Sequence, residues 1–181
     1  FGTNGEVIVS VSNPSDTTVS GITNVYLQSD DKIIVLANRN GQDIILARYL
    51  TNGAIDTSFG TNGMVSTRPS NGAPVSFGLA IQPDDKIIVA SYGNGDFILL
   101  RYSPNGVLDT SFGNNGIVTT DFNRTSDEPN AVILQGDGKI IVVGASNVTE
   151  GETDIFAIAR YLPNGNLDPT FGSNGKVVTD F

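Results

Sequence analysis

The chain reads as an all-β protein of repeated four-stranded antiparallel sheets, stacked like the blades of a propeller. Three observations predict this. Phe-Gly-x-Asn-Gly recurs at Phe1, Phe59, Phe112 and Phe171, with spacings of 58, 53 and 59 residues, and a period of this length marks a repeat architecture. Short runs rich in Val, Ile and aromatic residues alternate with clusters of Gly, Pro, Asn and Asp, the pattern of strands between turns. Finally, runs such as "KIIVLA" and "DIILA" are apolar almost throughout. Such runs imply burial on both faces, which a sheet achieves between copies of itself.

The repeats divide residues 1–181 into units 1–58, 59–111 and 112–170 and a partial unit 171–181, all within one repeat domain. In the second unit the strands are expected at Met64–Thr67, 77–82, 86–91 and 97–102. The second apolar run of each unit ends in glutamine (Gln28, Gln82, Gln135) and the third opens four residues later on lysine (Lys32, Lys86, Lys139). The intervening "SDD", "PDD" and "GDG" make a tight hairpin. The fourth run ends at Tyr49, Tyr102 and Tyr161, each preceded by arginine. These Arg and Tyr side chains are expected to cover sheet edges with their apolar bodies while their tips stay wet. The partial unit is expected to supply the first strand of a fourth blade. A β-solenoid or an open repeat array is the alternative, but solenoid coils have shorter periods of about 20–30 residues.

The connector "NGVLDTSFGNNG" (105–116) carries more chemistry than a turn requires. Eleven residues always separate the arginine from the following phenylalanine: Arg48 to Phe59, Arg101 to Phe112 and Arg160 to Phe171. Asp56, Asp109 and Asp168 recur between them. A carboxylate at such a position accepts backbone N–H bonds two residues on or pairs with the arginine. Because every unit needs it, it reads as packing chemistry rather than catalysis. The whole connector reads as the joint between blades, with Phe112 plugging the seam.

"DFILLRYSPNGVLDTSFGNNGIV" together with "AIQPDDKIIVAS" resembles the delta-60 repeat of bacterial exported proteins, and the resemblance covers essentially the whole chain. It implies a β-propeller and a secreted or cell-surface location. Abundant Asn, Thr, Ser and Gly with little lysine lean the same way. Asp31 and Asp85 depart from a glycine common in that family, which Gly138 keeps, and Ile155 stands where the second unit has Asp96.

The net charge of −9 disfavours nucleic acid and anionic membranes. No apolar run approaches the length of a membrane-spanning helix. Histidine and cysteine are both absent, which excludes Ser-His and Cys-His nucleophiles and histidine-ligated zinc. No catalytic residue, metal or cofactor is therefore expected. Carboxylate-based glycoside processing is the remaining enzymatic reading, and it would draw acids from further blades. Asp30, Asp31, Asp84, Asp85 and Asp137 sit in tight turns without the alternating spacing of a calcium loop.

Length variation falls on one face. The loops near 12–22, 69–76 and 122–129 differ from one another, as do 38–42, 92–95 and 146–154, while the other two connections barely change. Binding residues concentrate on such loops, and Asn123, Arg124, Glu150 and Glu152 are the candidates here. The expected partners are a glycan or protein at this face, and further repeats or other copies of the chain at the open ends. A structural scaffold assembling end to end is the alternative function.

Overall fold

A computed structural model describes residues 4, 6, 19–69, 75–123, 126–147 and 155–180. It contains twelve strands in three four-stranded antiparallel sheets. The first sheet is β1 (Val19–Leu27), β2 (Ile33–Arg39), β3 (Asp43–Tyr49) and β4 (Met64–Thr67). The second is β5 (Val75–Ile81), β6 (Ile87–Gly93), β7 (Asp96–Tyr102) and β8 (Ile117–Thr120). The third is β9 (Ser126–Leu134), β10 (Ile140–Asn147), β11 (Ile155–Tyr161) and β12 (Lys176–Thr179). Each runs in chain order, strand beside strand.

The sheets are out of phase with the sequence units. β4 follows Phe59-Gly60 yet pairs with β3, through Leu46↔Val65 and Ala47↔Met64. β8 pairs with β7 in the same way. The connector therefore links the third and fourth strands of one sheet and is not the link between sheets. The crossings lie at 68–74 and 121–125. For the same reason β12, expected to open a fourth blade, closes the third.

The first strands of successive sheets lie against one another, and Asn24 Nδ2 donates to Phe77 O at 3.0 Å across that line. Two apolar cores fill the seams. Ile34, Leu36, Ile44 and Leu46 of the first sheet meet Leu79, Ile87, Val89 and Leu100 of the second. Ile88, Phe97 and Leu99 on its other face meet Val132, Val142 and Ala157 of the third. The middle sheet is thus buried on both faces along β6 and β7, as the continuous apolar runs predict. The third sheet departs from that expectation. Ile133, Val143 and Phe156 share its outer face and are exposed, Phe156 by 60%.

The wet tips expected at the strand ends are absent at four of the six positions, while Tyr49 and Arg160 stay partly exposed. Tyr102 and Tyr161 are fully buried, and Arg48 and Arg101 nearly so. The Tyr161 hydroxyl donates to Thr120 Oγ1 at 2.7 Å. Burial pushes both phenols above their ordinary pKa, so they stay neutral.

Candidate functional site

The repeated residues come together at one end of the sheets, where the 29–32, 83–86 and 136–139 turns and the connectors emerge. Arg48, Arg101 and Arg160 Nε lie 2.9, 3.0 and 2.9 Å from Asp56, Asp109 and Asp168 Oδ2. The other carboxylate oxygen accepts the amide of Ser58, Ser111 or Thr170 at 3.0–3.1 Å, and the hydroxyl of the same residue. These hydroxyl bonds are the leading cause that holds all three carboxyls below the usual range, with backbone amides and nearby cations adding to them against burial. Each guanidinium stacks over the phenylalanine eleven residues on, its carbon 4.5–4.8 Å from the ring centre.

This cluster reaches into the next sheet. Arg48 Nη1 donates to Pro104 O, and Arg101 Nη1 to Pro163 O, both at 2.6 Å. The amides of Gly60 and Gly113 donate to Asn105 O and Asn164 O at 3.0 and 2.9 Å. Gly106 and Gly165 lie so close to the Phe59 and Phe112 rings that a Cβ would sit 2.9 Å from ring carbon. The seam role expected of the phenylalanine is thus present although the connector lies within a sheet. Phe59 and Phe112 are fully buried, whereas Phe171, with no following turn above it among the described residues, is only partly so. The three repeated carboxylates are each occupied by an arginine and a hydroxyl of their own connector, so the repeated acids hold the protein together.

The opposite end is irregular. It carries the β2–β3 and β6–β7 turns and the residues that leave β4 and β8. Of the four candidate binding residues, Asn123 is exposed in the second crossing, its amide bonded to Asp121 Oδ1. Arg124, Glu150 and Glu152 lie outside the described residues.

Equivalent positions at this end differ in charge between neighbouring sheets. In the first sheet Asp43 accepts from Arg39 Nη2 at 2.7 Å and Arg68 Nε at 2.9 Å. Burial raises its pKa, but the two arginines outweigh that and hold it below the usual range. In the second sheet Asp96 occupies the position of Asp43. Gly93 is its cross-strand partner, as Arg39 is that of Asp43, and Asp121 follows β8 where Arg68 follows β4. Both neutralising arginines are gone and one has become a carboxylate.

Asp96, Asp121 and Asp127 form an acidic group whose nearest oxygens all lie within 4.8 Å of one another. Burial, then the charges of Asp121 and Asp127, push the Asp96 carboxyl above the ordinary range. Buried Asp127 is already engaged, by the Phe122 amide at 2.7 Å and by the Ser146 hydroxyl. Its own amide donates to Gly95 O at 2.7 Å. It therefore ties the hairpin to the crossing, leaving Asp96 and Asp121 as the carboxylates able to accept from a ligand. Beside them a cleft of about 490 Å³ is lined by Arg68, Pro69, Gly93, Asn94, Asp96, Ile98 and Thr119. Sequence reasoning missed this group, because its members come from the start of β7, the residue after β8 and the start of β9, and share no period. The available signal was the change from Arg39/Arg68 to Gly93/Asp121 between repeats.

Stacked four-stranded sheets with a regular joint at one end and variable loops at the other define a β-propeller repeat protein. The chain belongs to the family described as "Domain of unknown function (DUF5122) beta-propeller", which matches residues 28–59, 82–112 and 135–171, more than half of its length. Each match runs from the hairpin glutamine to the seam phenylalanine. Among solved structures the chain is similar to a protein of unknown function from Bacteroides caccae, with 12% identity and a TM-score of 0.40. That likeness covers 81% of this chain and 58% of the other. No curated protein matches the chain.

Proposed function

We propose that the protein is a non-catalytic binding module of an exported or cell-surface protein, and that it takes a glycan or protein at the irregular end. The observation that carries this reading is the cleft between Arg68 and Asp96, built where neighbouring repeats exchange charge. The regular end spends its charges on itself. At the irregular end Asp96 and Asp121 keep acceptor capacity, and the cleft falls in the size range of ligand sites, about 300–1,000 Å³. Sugar hydroxyls and peptide or lysine N–H groups are the donors such carboxylates accept. Glycan and peptide arrays probed with the wild-type chain, Asp96→Asn and Arg68→Ala test it. Binding to one array that both variants weaken supports the reading, and silence on both arrays removes it.

A second reading, end-to-end assembly as a scaffold, is favoured by the outer face of the third sheet. Ile133, Val143 and Phe156 are exposed there, at positions comparable to those buried in the seams. Light scattering over a concentration series separates a growing ladder of masses from a discrete species.

A further inference from the structure

The irregular end also carries a covalent weak point that the regular joints suppress. In Asn-Gly, the glycine nitrogen can attack the asparagine side-chain amide with no Cβ to shield it. The attack is favoured when that nitrogen has no hydrogen bond of its own to break. Eight Asn-Gly pairs lie wholly within the described residues, and six are protected. Gly53, Gly106 and Gly165 donate to Leu50 O, Ser103 O and Leu162 O at 2.8–2.9 Å. Gly63, Gly116 and Gly175 donate to Phe59 O, Phe112 O and Phe171 O at 2.7–2.9 Å, and are themselves buried. The Gly41 and Gly95 amides donate to nothing among the described residues. Asn40 makes a further interaction. Asn94 is exposed at the tip of the two-residue hairpin between paired Gly93 and Asp96, and its side chain has no hydrogen bond among the described residues.

We propose that Asn94-Gly95 is a deamidation site that converts ahead of the six protected pairs in the folded protein. The Gly95 nitrogen loses its proton and bonds to Asn94 Cγ, expelling ammonia. The cyclic imide then adds water at either carbonyl and opens to aspartate or isoaspartate. Water is the only co-reactant. Either product sets a new carboxylate beside Asp96 on the rim of the cleft, and isoaspartate also lengthens the backbone of the hairpin that Asp127 holds.

The test is peptide mapping by mass spectrometry, with enzymatic labelling of isoaspartate, on the folded chain held in mildly alkaline buffer. Asn94 is expected to convert roughly five- to ten-fold faster than Asn52, Asn62, Asn105, Asn115, Asn164 and Asn174, the ratio that one net hydrogen bond implies. In urea the difference is expected to vanish. Asn94→Gly should remove the signal and leave the melt close to wild type, since position 94 adopts φ +57°. Equal rates in the folded chain would overturn the proposal, and so would a preference that persists in urea, since local sequence would then explain it. The readout is covalent, so it stands or falls independently of ligand binding at the cleft.

Discussion

Phe112 concentrates much of a joint in one side chain. It is fully buried, lies under the Arg101 guanidinium and is in contact with Gly165 of the next sheet. Phe112→Ala is expected to lower stability by about 3–5 kcal/mol, the range for a buried aromatic, in a urea melt. Phe171→Ala, at the partly exposed copy of the same position, should cost visibly less. The acids sort by sign. Asp56, Asp109 and Asp168 have folded pKa values below the unfolded value of 3.8. Their contribution is therefore complete above about pH 4 and is lost as pH falls through 3.8 toward the folded values. Urea midpoints should drop on acidification in that window, and Asp109→Asn should reduce the drop. Asp96 behaves oppositely, because its folded pKa lies above 3.8. Protonation relieves repulsion in the folded state, so this group adds stability as pH falls toward about 4. Asp96→Asn should raise the midpoint at neutral pH, and an unchanged midpoint would remove the repulsion from the account.

Among the elements, the turns before the connectors are as constrained as the strands. Gly106 adopts φ +84°, and a Cβ there would strike Val65 and Phe59. Gly106→Ala is expected to cost about 2–4 kcal/mol, from left-handed backbone strain and overpacking together, read in the same melts. The strands themselves were legible in the sequence because apolar runs and turn clusters alternate sharply, and the expected Met64–Thr67 matches β4. Which strands pair was not legible. Phe-Gly-x-Asn-Gly is the loudest marker, but it reflects a buried phenylalanine and the left-handed backbone of its glycines and asparagine, not where a sheet ends. β4 could join either neighbouring sheet without changing one residue of the repeat. The wet tips expected of Arg48 and Tyr102 failed for a related reason: at a seam the next sheet supplies a carbonyl or a core to bury them.

For the whole molecule, the outer face of the third sheet is the feature with the widest reach. Ile133, Val143 and Phe156 leave it apolar and open, and exposed patches of this kind drive association. The wild-type chain is expected to gain mass with concentration in light scattering, and Ile133→Asp, at a position 57% exposed, should suppress the gain without lowering the melting temperature. Only part of the candidate site could be read before the fold was known. The choice of the irregular end follows from loop lengths, which the sequence displays. The meeting of Asp96, Asp121 and Asp127 depends on how sheets two and three converge, which no local pattern encodes. The offset between motif and sheet has a consequence for how such a chain gains or loses repeats. A break at Phe112 removes the fourth strand and leaves the β7 edge bare. A break at 121–125 keeps the sheet whole but strips away the turn that seats Phe112. No point in the period is a clean seam, so the repeats overlap like roof tiles, and a lineage that alters their number must add or remove a full period to keep every tile covered.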